Sequence, residues 1–306
     1  MLLIALSRKL RHGLWAVLAA SLCFGCSQSA HAIPPLKTGA VPGQWTEDYD
    51  AALALAKEKQ LPIMLYFTGG GWCPGCIQME SNVFTKAGWT EFAQDSLVLV
   101  ALDFPAQEQP VKTPVLERNI GFATKYQVES FPTFVVLSED AQNELGRVPQ
   151  DYYPDPASFI KATRTVLRRS LHGVAAMAKV LPEAAITRYR EQLAKLQQSR
   201  VELRAWMATE PAVNPENNQK YSTAMELQAT CEKALREIEV DYVATALPAE
   251  KAADYRKAYA ELVAAEQVLE TWLRTAPDPE VEANRAKYRE LAKPVGEKQA
   301  AMQAFE

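Results

Sequence analysis

One ten-residue stretch restricts this 306-residue chain more than any other: Phe67-Thr68-Gly69-Gly70-Gly71-Trp72-Cys73-Pro74-Gly75-Cys76. The apolar run Leu61 to Phe67 before it, bounded by Pro62 and then by three glycines, predicts a buried strand. After Cys76 the pattern turns helical, through Met79 and Val83. A strand entering a helix through Trp72-Cys73 sets the Cys73 sulfur at the helix N-terminus, where unpaired backbone amides and the dipole favour an anion. A thiolate is such an anion, so the first cysteine is expected to titrate from about 8.5 toward neutrality, with the second one turn on. Pro74 suits the first helical turn because it gives up only an amide that had no partner.

The compartment follows from the first 32 residues. Arg8, Lys9 and Arg11 precede an apolar core, Leu14 to Phe24, and Ala30-His31-Ala32 offers a small-x-small cleavage site, which together read as a secretory signal. The core is too short to span a bilayer, so cleavage after Ala32 leaves a soluble exported protein beginning at Ile33, in a bacterial periplasm or similar space. Acylation of Cys23 or Cys26 is the competing reading, though the residues before each match a lipobox poorly. A net charge of −4 without a basic block argues against a nucleic-acid partner.

Residues 33–44, rich in proline and glycine, read as an extended leader. Trp45-Thr46-Glu47-Asp48 is expected to open a first helix, capped by Thr46 and reaching about Gln60. Further along, Trp89 to Ala93 predicts a short helix, Leu97 to Leu102 a buried strand, Pro105 to Pro114 a loop and Leu116 to Tyr126 a helix. Phe131-Pro132-Thr133 then leads into the apolar run ending at Leu137; proline cannot donate to a ladder, so Pro132 must stand at a strand start or bend. A cis bond there would be purposeful. A weak strand at Glu144 to Val148 and a helix from Asp155 to about Arg169 complete an alternating α/β pattern.

These residues together resemble the thioredoxin family over 45–170. The resemblance is carried by Trp72-Cys73-Pro74-Gly75-Cys76 after a strand and by Phe131-Pro132-Thr133 before the next core strand. Trp45, the Phe67-Thr68-Gly69 approach and Glu80 are similar to the exported, single-domain thioredoxin-like group. The family implies a thioredoxin-like α/β fold, a central mixed sheet flanked by helices. It also implies Cys73 as attacking thiolate, Cys76 as resolving thiol, the two as a redox-active disulfide, and Pro132 as a cis-proline facing them and holding substrate backbone. Trp72 and Phe131 are expected on the substrate-facing rim. Two departures stand out: Tyr66 occupies the position where many thioredoxins carry a buried aspartate, and Pro-Gly replaces Gly-Pro between the cysteines, which leaves the direction of electron flow open.

A Cys-x-x-Cys can instead be half of a structural zinc site, but the mature chain offers only Cys231 and His172 as further ligands away from the pair, so no metal is expected. Nor does the sequence call for any other cofactor.

From Leu171 to Glu306 glycine nearly vanishes and Ala, Glu, Leu, Lys and Arg dominate, predicting an all-α helical bundle or hairpin domain. Pro182, Pro215, Pro248 and Pro279 recur at spacings of 33, 33 and 31 residues, each reading as proline in a helical first turn. Apolar stripes follow: Ile186, Tyr189, Leu193, Leu196 and Leu203; then Leu227, Cys231, Leu235, Ile238 and Tyr242; then Tyr255, Tyr259, Leu262, Leu269 and Leu273. Pro294 is expected to kink or split the last helix. Cys231 on an apolar face reads as a small buried side chain, against a third exchanging thiol.

The functional expectation is an exported thiol:disulfide oxidoreductase, reduction or isomerisation ahead of oxidation. Its partners would be protein thiol or disulfide substrates, a membrane electron donor, and a second copy through the helical half. The alternative is an interaction scaffold that works through the helices and carries a redox-sensitive thioredoxin-like domain.

Overall fold

The computed structural model describes residues 34–106, 113–275, 278 and 280–305. The expected signal, with Cys23, Cys26 and the cleavage site, lies outside the described residues, as do part of the loop before Pro114 and Pro279.

Five strands form one mixed sheet: β1 (Trp45–Thr46), β2 (Ile63–Thr68), β3 (Val98–Asp103), β4 (Thr133–Leu137) and β5 (Glu144–Val148), in the order β1-β3-β2-β4-β5. β3 runs parallel to β1 and β2, whereas β4 is antiparallel to both β2 and β5. Central β2 is buried throughout because its alternate side chains enter two different cores. Met64 and Tyr66 join Leu99, Phe134 and Phe159 on one face, while Ile63, Leu65 and Phe67 join Val100, Val135 and Tyr126 on the other. Each such fully buried apolar side chain contributes about 1.5–3 kcal/mol, so a polar residue at Phe67 would break the sheet's centre.

The first helix begins later than the sequence predicts. Trp45–Thr46 is strand, and α1 spans Tyr49–Lys59. Thr46 cannot cap it because its hydroxyl donates to the Gly39 carbonyl at 2.6 Å and accepts from the Asp48 amide. Asp48 caps instead, accepting from the Ala51 amide at 3.0 Å. The leader is held to the sheet: the Leu36 amide donates to Trp45 O, and the Glu47 amide donates back to Leu36 O.

The flanking helices are α2 (Pro74–Met79), continued by a π-helical turn at Glu80–Phe84, then α3 (Ala87–Ser96), α4 (Pro114–Lys125) and α5 (Pro156–Leu167). Short α6 (Leu171–Met177) leads to four long helices, α7 (Glu183–Met207), α8 (Pro215–Thr245), α9 (Ala249–Leu273) and α10 (Glu282–Gln303). Each packs on the next in chain order. Pro215 begins α8, but Pro182 and Pro248 stand one residue outside their helices rather than in the first turn. Pro294 does not split α10, which runs unbroken through it; a proline removes a single ladder bond, and the remaining turns stay packed along α9.

Two apolar clusters hold these helices, one around Met177, Tyr189, Leu196, Cys231 and Leu235, the other around Val240, Tyr255, Leu262 and Met302. Leu227 and Leu273, expected in the stripes, are exposed because they lie on turns beyond both clusters. A charged cluster joins helices to sheet. Arg204 meets the Glu144 carboxylate on β5 at 2.6 Å, and Arg200 donates to Glu144 O. Arg169 donates to both oxygens of Glu232 and to Glu239, which also accepts from the Tyr189 hydroxyl at 2.7 Å.

Candidate active site

β2 ends at Thr68, whose buried hydroxyl accepts from the Gly70 amide and starts a 3-10 turn, Gly70–Trp72, that delivers the chain into α2. Cys73 is the N-cap of α2: its backbone is extended, Pro74 is the first helical residue, and its sulfur accepts from the Cys76 amide at 3.2 Å. The two sulfurs are joined in a disulfide, with Cα atoms 5.2 Å apart. Cys73 is 4% exposed and Cys76 is 0% exposed, so both are buried and only Cys73 retains any solvent contact.

The Phe131–Pro132 peptide is cis, and it faces the same turn. A Cβ added at Gly75 would lie 3.0 Å from Pro132 Cδ, so the small residue inside the cysteine motif is what lets the proline come so close. Trp72 is 46% exposed, and its indole N–H donates to the Phe104 carbonyl at 2.8 Å. Its ring meets Phe131 edge-on at 6.0 Å, and Phe131 stacks on Phe104 at 4.9 Å. The five residues singled out from the sequence, Trp72, Cys73, Cys76, Phe131 and Pro132, therefore lie together, with Cys76 beneath the others.

Behind the pair, Tyr66 packs between Trp45, Phe84 and Phe134. Burial holds its phenol far above the ordinary tyrosine range, opposed by the Thr68 hydroxyl and reinforced by the Glu80 and Asp103 carboxyls. Tyr66 therefore stays neutral at ordinary pH and takes no proton from a thiol. Glu80, next to the pair on the π-helical turn, is buried at 5% exposure. Cys231 lies 1% exposed in the helical half, and burial pushes its thiol up.

Sequence reasoning overlooked Phe104, which both anchors Trp72 and supports Phe131, and the groove wall formed by Gln150 and Tyr152. A signal for Phe104 existed: it follows the carboxyl end of β3, and functional groups in α/β sheets gather beyond those ends. Among the described residues no group of His, Cys, Asp and Glu is arranged to hold a metal ion, and no helix is long and apolar enough to cross a membrane.

Comparison with known proteins bears on residues 49–166, which match the family described as Thioredoxin-like domain. Disulfide bond reductase DsbH of Chlamydia pneumoniae is 33% identical over 106 residues, 34% of this chain and 61% of that protein. Thioredoxin-related protein DsbJ of the same organism is 24% identical over 104 residues, 34% of this chain and 29% of that protein. A solved structure titled DsbH Oxidoreductase, 24% identical, covers 47% of this chain and 93% of its own, with a TM-score of 0.37. The chain thus spans less than two thirds of the length of either curated relative it matches, and the family match ends at residue 166, before the long helices begin.

Proposed function

We propose that this chain, which carries a thioredoxin-like domain, is an exported thiol:disulfide oxidoreductase that works as a reductase or isomerase. The observation that supports this most is the pairing of a cysteine sulfur at a helix N-terminus with a wholly buried second sulfur, beside a cis-proline. The reductase direction draws on the name of the 33% identical relative.

In the reduced protein the Cys73 thiolate attacks one sulfur of a client disulfide. The client S–S bond breaks, a Cys73–client disulfide forms, and the released client thiolate takes a proton from solvent. Cys76 then loses its proton and attacks Cys73 Sγ, breaking the mixed disulfide and freeing the second client thiol. The Cys73–Cys76 disulfide remains, and two electrons have passed to the client. Burial supports these roles: Cys76, at 0% exposed, cannot meet a client directly, whereas its amide stays close enough to Cys73 to stabilise negative charge on that sulfur. Trp72, Phe131 and Pro132 form the client-facing rim. Turnover requires a dithiol donor of lower potential, for which a membrane electron donor is the natural class in an exported space.

Within this reading residues 1–32 are the signal, 33–44 the leader, 45–170 the redox unit, and 171–306 a helical unit that recruits clients or a second copy. The test is Cys76→Ser in the mature protein. Mixed disulfides that depend on Cys73 should accumulate with clients, and trapping of none would favour the scaffold alternative. Mass spectrometry of the mature N-terminus should find Ile33; a diacylglyceryl-cysteine at Cys23 or Cys26 would replace cleavage with lipid anchoring.

A further inference from the structure

A groove of about 370 Å³ opens beside the cysteine pair, between Gly75 and the Phe131–Pro132 peptide on one side and Gln150, Tyr152 and Tyr153 on the other. The second wall is the loop joining β5 to α5, and it is tied to the first. The Gln150 amide nitrogen donates to Pro132 O at 2.7 Å, to Thr133 Oγ1 at 2.7 Å and to Ser130 Oγ at 3.1 Å, so one side chain grips both flanks of the cis-proline.

The two adjacent tyrosines on this loop have opposite fates. Tyr153 is 6% exposed, donates its hydroxyl to Pro149 O and packs on Phe159 at 5.0 Å. Tyr152 is 61% exposed, and among the described residues no aromatic ring packs against it. A single exposed ring is ordinary on a protein surface. Tyr152 differs in that it lines the groove beside the cysteine pair, where a bound chain would meet it. Through α5, the exposed aromatic side chains among the described residues are Trp72 and Tyr152, and both border the Phe131–Pro132 segment. A rigid aromatic ring supplies much contact area with few bonds to immobilise.

We propose that Tyr152 is a specificity-determining residue for this site. It selects polypeptide disulfides whose reacting cysteine is flanked by an aromatic or large aliphatic side chain, over small disulfides that cannot reach the groove. The inference rests on the oxidoreductase reading above. A client chain bonded to Cys73 passes Gly75 and Pro132, so its neighbouring side chain enters the groove and lies against the Tyr152 ring. Gln150 is a positioning residue that fixes the separation of the two walls.

The test uses pre-reduced full-length protein in single-turnover reactions with two peptides, each closed by an internal disulfide and differing only in Phe or Ser before the first cysteine. Hydroxyethyl disulfide serves as the reference. An aromatic contact predicts that the parent reduces the Phe peptide about fivefold faster. In Tyr152→Ser that preference should fall below about twofold, and in Tyr152→Phe it should persist, on the same scale. The hydroxyethyl disulfide rate and the reduction potential should be the same in all three proteins. A preference retained in Tyr152→Ser, or absent from the parent, overturns the proposal. Failure of the parent to reduce hydroxyethyl disulfide would instead overturn the oxidoreductase reading itself.

Discussion

The backbone N–H of Cys76 points at the sulfur of Cys73 across 3.2 Å, from inside the helix that Cys73 caps. The same helical turn that buries one thiol therefore provides the donor that stabilises the other as an anion. In the reduced protein, iodoacetamide at about pH 7 should label Cys73 well before Cys76. Equal labelling rates for the two, followed by mass spectrometry, would contradict the asymmetry.

Trp72 folds back over Gly69: a Cβ added there would sit 2.5 Å from the indole ring and 3.0 Å from Cys73 Cβ. Gly69→Ala should displace the indole, break its bond to Phe104 O and cost about 1–3 kcal/mol in a urea melt, as overpacking does. Trp72 fluorescence should change in the same variant, and an unchanged melt would show that the turn has slack.

Arg169, buried between Glu232 and Glu239, is the hub that joins the redox unit to the long helices. Arg169→Met leaves the buried Glu239 carboxylate without its cation, while Glu232 keeps Arg200 at 2.6 Å, a loss of about 3–5 kcal/mol. Thermal unfolding should move down and proteases should reach α7 and α8 first, with the reduction potential unaltered. A shifted potential would mean that the helices act on the dithiol directly.

Tyr66, Tyr126, Tyr153 and Tyr189 all have phenols raised by burial. A group whose pKa is higher folded than unfolded contributes stability that is complete below the unfolded value. That contribution is lost as pH rises toward the folded value. Urea midpoints should therefore show no tyrosine-linked change up to about pH 9.5 and fall above about pH 10. Tyr66→Phe should flatten that alkaline fall while leaving disulfide reduction intact, because a neutral phenol takes no part in it.

Much of this site was legible in the chain because its signals are local. Glycines after an apolar run, the cysteine spacing, and proline ahead of Thr133 each impose a backbone event that the structure contains in place. The misreadings came from groups whose partners are distant in sequence. Thr46 resembled a helix cap, but its hydroxyl is spent on Gly39 and Leu36. Phe104 stacks on Phe131, 27 positions away in the chain, and Tyr152 shares a groove with Phe131 from 21 positions away, and no local pattern announces either. In the helical half, periodicity identified the apolar faces. It did not show that the outer turns bearing Leu227 and Leu273 extend past the packed clusters.

The central claim is that Cys73 and Cys76 form a reversible redox couple poised for reduction, and its most direct test is the reduction potential of the mature protein, equilibrated in glutathione buffers and read by alkylation. The account predicts a reversible two-electron transition near −270 mV. A value near −120 mV would make the protein a disulfide donor, and failure to form the disulfide at any poise would contradict the redox function altogether.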